Sequence, residues 1–186
     1  MILSHLKLAH QYWESFLQSG DFAIDATCGN GHDSLALAKL VEGHLLCIDV
    51  QKRALERTKE HLKKNLPSFQ FKNIIYHLGC HSALPSLIES PRLIVYNLGY
   101  LPGSDKQVVT ETESTLNSLR ASLNALKPGG ALSITCYSGH KKGEKEEKAV
   151  LSFAKSLSKK DFQVCHHQWI NRLNSPSLLL IQKSNY

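Results

Sequence analysis

The 186-residue chain is 42% hydrophobic and 20% charged, ordinary globular proportions that suit one domain across 1–186 and leave no room for two. Its 22 Lys and Arg against 16 Asp and Glu give a net charge of +6 and a pI near 9.1. That moderate excess suits an anionic partner such as nucleic acid without demanding one, and no apolar run approaches the roughly 20 residues that cross a bilayer.

A helical period runs through 3–17, where His5, Lys7, His10 and Gln11 interrupt the apolar residues and exclude a signal-peptide core. Short runs rich in Ile, Val and Leu then alternate with longer helical segments, the pattern of a parallel sheet covered on both faces. Strands are predicted at 22–26, 44–49, 74–78, 93–97, 130–136, 162–168 and 177–182. Further helices are predicted at 34–40, 51–65, 84–88, 110–126 and 143–158. Lys127-Pro128-Gly129-Gly130 stops the fifth, because proline cannot continue a helix and glycine accepts left-handed geometry. The short link 169–176 suits an antiparallel hairpin between the last two strands. The expected fold is thus α/β and Rossmann-like, with seven mostly parallel strands, helices on both faces and a C-terminal antiparallel hairpin.

Cys28, Cys47, Cys80, Cys136 and Cys165 lie far apart, form no C-x-x-C pair and are odd in number, so free thiols in a reducing cytosol are expected. A soluble cytoplasmic protein follows as the expectation. No metal site is expected: the nearest approach, Cys136 with His140, lacks the close repeated spacing of zinc ligands.

The first strand, Phe22-Ala23-Ile24-Asp25-Ala26, ends in an acid and leads through Thr27 and Cys28 into Gly29-Asn30-Gly31 and a helix near His32-Asp33-Ser34. In an open α/β sheet, ligands bind outside the carboxyl ends of the strands. Glycines there let the backbone approach a nucleotide and adopt positive φ cheaply. A dinucleotide fingerprint wants a third glycine where Ser34 stands. Asp25 would repel a pyrophosphate but attract the ammonium of a methionine moiety, so S-adenosylmethionine fits better. Asp49, closing the second strand, could accept hydrogen bonds from both ribose hydroxyls or cap the helix before Gln51. Beyond the third strand, His81 in Leu78-Gly79-Cys80-His81-Ser82 could meet adenine or cap the helix near Leu84.

The fourth strand delivers Asn97, at the place where amine-directed methyltransferases put the polar head of an Asp/Asn-Pro-Pro-Tyr loop, although Leu98-Gly99 replaces the prolines here. Methyl transfer is an in-line displacement that needs alignment and an acceptor lone pair. An alkylamine must therefore lose a proton first. Asp105 could attract the ammonium or serve turn chemistry in Gly103-Ser104-Asp105-Lys106; Tyr137 or His140 could help remove the proton, and His140 could equally touch RNA or sit satisfied in its loop. Lys141, Lys142, Lys145 and Lys148 either meet a phosphate backbone or form a solvated face balanced by Glu144, Glu146 and Glu147. Tyr100 could stack on a base.

The segments 25–33, 97–106 and 137–140, with Gly143 and Glu146 or Glu147, closely resemble the rRNA methylase family of small class I S-adenosylmethionine-dependent methyltransferases of bacteria and plastids. The closing 170–176 stretch is similar to that family's ending. The resemblance spans nearly the whole chain, and Asn97-Leu98-Gly99-Tyr100 is its most specific motif. It implies the seven-stranded methyltransferase sheet and S-adenosylmethionine as cofactor. The family includes the methyltransferase of tRNA wobble 5-aminomethyl-2-thiouridine, which implies an exocyclic alkylamine acceptor in the tRNA anticodon region. The cofactor set on this reading is Asp25, Thr27, Gly29, Asn30, Gly31, His32, Asp33, Asp49, Gln51, Cys80, His81 and Asn97. The catalytic set is Asn97, Asp105, Tyr137 and His140, with substrate contacts at Tyr100, Lys106, Lys141 and Lys142. Ser104, Lys141-Lys142 and Ser177 depart from the family's usual residues, leaving substrate-loop geometry less defined than the cofactor turn. The rival readings are an rRNA or small-molecule amine methyltransferase of the same fold and a non-enzymatic cofactor-binding module. A homodimer would help so small a protein span an anticodon stem.

Overall fold

The computed structural model describes residues 3–85, 89–99, 112–139, 141–172 and 175–185. The strands are β1 (Ala23–Asp25), β2 (Leu45–Asp49), β3 (Ile75–Leu78), β4 (Leu93–Leu98), β5 (Ala131–Cys136), β6 (Phe162–His167) and β7 (Ser177–Lys183). The helices are α1 (His5–Phe16), α2 (His32–Leu40), α3 (Lys52–Asn65), α4 (Ser68–Phe71), α5 (Thr112–Ala125) and α6 (Lys141–Ser156). All seven expected strands form. The sixth helix begins at Lys141, two residues before its expected start, and α4 has no counterpart in the prediction because four residues are too few to show a period. Of the helix expected at 84–88, Leu84 and Pro85 are irregular and the rest lies outside the described residues.

The sheet order is β3-β2-β1-β4-β5-β7-β6. β1 pairs in parallel with both β2 and β4, so the strand order reverses between β1 and β4 and opens a crevice at their carboxyl ends. β7 enters between β5 and β6 and runs antiparallel to both, completing the expected hairpin.

Successive strand residues face opposite sides, and each side has its own core. Ile24, Ile48, Ile94 and Tyr96 face α5 and α6, joining Leu119, Leu123 and Val150. Ala23, Leu45, Cys47, Leu93 and Val95 face α1, α2 and α3, joining Trp13, Leu37 and Leu62. Double-sided burial explains why β1, β2 and β4 read as continuous apolar runs. The Tyr96 hydroxyl, fully inside, is satisfied by Ser118 and Ser122, one turn apart on α5, at 2.7 and 2.6 Å.

Helix α1 starts at the N-cap Ser4, whose side chain accepts from the Lys7 amide. Its residues Ala9 and Trp13, one turn apart, bury against the sheet, and the Trp13 indole donates to Ser133 Oγ on β5 at 2.9 Å. Arg92, just before β4, lies 4.3 Å from the Phe16 ring. The helix therefore runs against the strand direction, its first residues at the carboxyl rim and its last near the strand starts. Among the described residues, no helix is long and apolar enough to cross a membrane.

Candidate active site

The turn after β1 is built from underneath by Asp25. This residue is 0% exposed, and its two oxygens accept from the Thr27 amide at 3.2 Å and the Ser34 hydroxyl at 2.6 Å. Burial first, and the nearby Asp33 charge second, push its carboxyl up to about 7. The residue expected to face an ammonium thus lies below the turn, holding its shape, and Ser34, read only as a missing glycine, is its partner.

Gly29 and Gly31 take φ of 55° and 80°, the left-handed region that favours glycine. A Cβ on Gly31 would stand 2.9 Å from Thr58 Cα on α3, while Thr58 Oγ1 donates to the Gly29 carbonyl at 3.2 Å. Thr58 therefore clamps the turn from behind. Gly31→Ala should lower stability by about 2 kcal/mol, from left-handed strain plus crowding of a backbone atom, read as a fall in the urea midpoint at unchanged slope.

Asp49 closes the other side. Its Oδ2 accepts from the Gly29 amide at 3.0 Å and its Oδ1 from the Gln51 amide at 2.9 Å, so it joins the glycine turn to the residue that opens α3, whose N-cap is Gln51 itself. Each carboxylate oxygen has a second lone pair, which matches the two donors of a ribose diol. Gln51 takes part through its backbone. Asn30 accepts from Arg57 at 3.4 Å, and exposed His32 turns its ring toward His61 on α3, 5.0 Å away.

Past β3, Cys80 Sγ lies 3.2 Å from Ser114 Oγ and accepts from Ser82 at 3.0 Å. His81 is buried, with its ring edge-on to Tyr96 and its carbonyl accepting from Ser118 at 2.7 Å. Its Nδ1 is buried without a partner among the described residues, and burial lowers the basicity of the ring. A buried nitrogen with an open valence suits a heterocycle edge beside the ribose-facing Asp49. Leu84 and Pro85 are irregular, so no helix starts at Leu84 among the described residues for His81 to cap.

Asn97 occupies the crevice between β1 and β4. Its amide donates to Thr27 Oγ1 at 2.7 Å, and its Nδ2 donates to Asp33 Oδ2 at 2.8 Å. A carboxylate only accepts, which fixes the side-chain amide orientation and leaves Asn97 Oδ1 buried with no partner among the described residues. The other Asp33 oxygen holds His10 Nε2 of α1 at 2.7 Å. Asp33 thereby ties α1, α2 and β4 together at the rim. Tyr137, one residue past β5, donates its amide to the Leu98 carbonyl and lies beside Gly99, whose added Cβ would sit 3.3 Å from Tyr137 Cβ.

Lys141 and Lys142 are exposed at the start of α6. Of the glutamates offered as counterweights, Glu144 balances Lys148 at 2.5 Å, as the solvated-face reading expects, while Glu147 accepts from Ser177 and buried Glu146 accepts from Thr115 at 2.6 Å. Among the described residues, Lys141, Lys142 and Lys145 have no ion pair. Tyr100, Asp105, Lys106 and His140 lie outside the described residues. No three described His, Cys, Asp or Glu residues form a metal-holding group.

The sequence reading missed Thr58, Ser34 as a partner, and His5 and His10. His5 and His10 arrive from a helix whose pattern signals only packing, and nothing local marks them as rim residues.

Residues 45–183 match the family described as "Putative rRNA methylase". The chain belongs to this family. Over 95% of its length and 68% of the relative's, this methylase is 36% identical to a protein of Arabidopsis thaliana named tRNA (mnm(5)s(2)U34)-methyltransferase, chloroplastic. Its fold is similar to a "putative rRNA-methylase" from Clostridium thermocellum, with a TM-score of 0.92 and 30% identity, covering 98% of this methylase and 99% of that chain. A "putative methyltransferase" from Streptococcus mutans, solved in complex with SAH, gives a TM-score of 0.88 and 36% identity with the same coverage.

Proposed function

We propose that this methylase transfers a methyl group from S-adenosylmethionine to the exocyclic amine of 5-aminomethyl-2-thiouridine at the tRNA wobble position, as a cytoplasmic enzyme giving the 5-methylaminomethyl form. That it is an S-adenosylmethionine-dependent methyltransferase follows from its family, its sheet and the fit of the β1 turn to that cofactor. The finer assignment draws on the name of the Arabidopsis relative and on one observation, that Asn97 Oδ1 has no partner among the described residues.

When bound, S-adenosylmethionine supplies an electrophilic methyl group on a sulfonium. Asp49 would take the ribose hydroxyls, His81 the adenine edge, and the Gly29–Gly31 backbone would face the methionine moiety. Asp33 and Asn97 define the acceptor side. A buried amide oxygen accepts an N–H and orients the nitrogen lone pair along the line of displacement, whereas a hydroxyl or carbon acceptor would use it less well. Lys141, Lys142 and Lys145 stand on the same rim, where the phosphates flanking an extruded nucleotide pass.

Hypomodified tRNA incubated with the methylase and labelled cofactor should yield labelled 5-methylaminomethyl-2-thiouridine by nucleoside mass spectrometry. Persistent 5-aminomethyl-2-thiouridine with label in ribosomal RNA would refute the tRNA assignment. Affinity for the tRNA should also fall steeply with salt, whereas a small neutral acceptor would show no such slope.

A further inference from the structure

We propose that His5 is the group that takes the proton from the acceptor amine, so that α1, and not only the strand-end loops, supplies catalytic chemistry. The inference rests on the amine-methylation reading above. Because α1 runs against the strands, its first residue reaches the carboxyl rim, where the His5 ring meets Tyr137 edge-on at 5.7 Å and 89°. Its Nε2 is buried and has no partner among the described residues. A buried polar atom left unpaired is unfavourable, which makes it a candidate for a partner that arrives with the substrate.

A second orphan points the same way. Asn97 Oδ1 belongs to the side chain held by Asp33, and the Asp33 charge also bears on the His5 imidazole. Asp33 thus links the two groups, Asn97 by direct contact through Nδ2 and His5 through the field of its charge, and that negative field at the rim attracts an ammonium. The ionisable groups facing His5 among the described residues are Tyr137 beyond β5 and Asp33 on α2, the latter shared with His10 on its own helix. Tyr137 is a poor alternative: burial, then the Asp33 charge, pushes its phenol up to about 12. His5 moves the other way, burial favouring the neutral ring over the opposing pull of Asp33.

The step balances simply. The Nε2 lone pair accepts a proton from R–NH3+, leaving R–NH2 and an imidazolium. The freed nitrogen pair forms the N–CH3 bond as the C–S bond breaks, its electrons returning to sulfur. The product is the secondary ammonium R–NH2+–CH3, and the imidazolium gives its proton to water.

The test compares wild type with His5→Gln on an anticodon stem-loop carrying 5-aminomethyluridine, following SAH release across pH. The variant should lose about tenfold in kcat/KM near pH 7 and recover toward about pH 10, where solvent deprotonates the amine. S-adenosylmethionine affinity and Tm should not change. In wild type, the His5 ring resonance should titrate below 6.5 in free protein and shift when RNA and SAH are added. Matching profiles, a deficit equal at every pH, or an unshifted His5 resonance would each overturn the role of His5 alone. A wild type that releases no SAH would overturn the amine reading itself and this inference with it.

Discussion

Replacing Asn97 by Ala should lower kcat for methylation of an amine-bearing RNA about 100-fold while leaving S-adenosylmethionine affinity within about threefold, the range found when one oriented polar group is removed from a reacting centre. Two losses combine. The variant removes the buried Oδ1 acceptor and frees Asp33 Oδ2, which Asn97 Nδ2 holds at 2.8 Å. Asn97→Asp separates them: it restores an acceptor but sets a second carboxylate against Asp33, which raises the pKa of one of the pair. It should therefore also be impaired, and least so at low pH. Isothermal titration with SAH together with single-turnover rates checks the split. If weaker cofactor binding carried the whole loss, Asn97 would act on the cofactor and not on the acceptor.

The second large effect is on stability. Asp25 is held near 7 in the fold, against 3.8 for an ordinary aspartate. Its folded form therefore keeps a proton that the unfolded chain gives up, so its contribution is complete below about pH 4 and is lost as pH rises through 7. Asp25→Asn carries no such linkage. Relative to wild type, the variant should gain about 3 kcal/mol between pH 5 and pH 8, a large share of the 5–15 kcal/mol typical of a domain. The Asn side chain offers one acceptor to the Thr27 amide and the Ser34 hydroxyl, which together use two, so a constant offset is expected as well. The diagnostic is the slope. Parallel pH curves from urea unfolding would mean that Asp25 titrates in the fold as it does in the open chain.

The strands were legible because both faces of β1, β2 and β4 are buried, and a run such as Leu93-Ile94-Val95-Tyr96 has no other comfortable environment. The β1 turn and Asp49 were legible because backbone constraints leave local marks: two glycines at positive φ and an acid at a strand end. The direction in which Asp25 works was not. A carboxylate beside a glycine turn looks the same in sequence whether it faces the cleft or, as here, lies under it, and its partner Ser34 is nine residues on. The acceptor side was legible only in part. Asn97 sits on a strand and could be placed; His5 and His10 reach the rim by the packing angle of α1, which depends on Trp13 meeting Ser133, 120 residues away.

The position of β7 bears on how the chain is made. The last strand in sequence fills an inner slot, between β5 and β6, with a six-residue antiparallel ladder on each side. β5 (Ala131–Cys136) is made well before residues 177–183, and until they arrive it waits with an unpaired edge, as does β6 for the shorter stretch that separates it from β7. The emerging chain can settle the β3-β2-β1-β4-β5 half while β6 stays undocked, exposed to the wrong neighbour or to a chaperone. Closure of the sheet should therefore be a late step of folding, after the parallel half has formed, and a variant that weakens β7 pairing should leave that half folded while exposing the edge of β5.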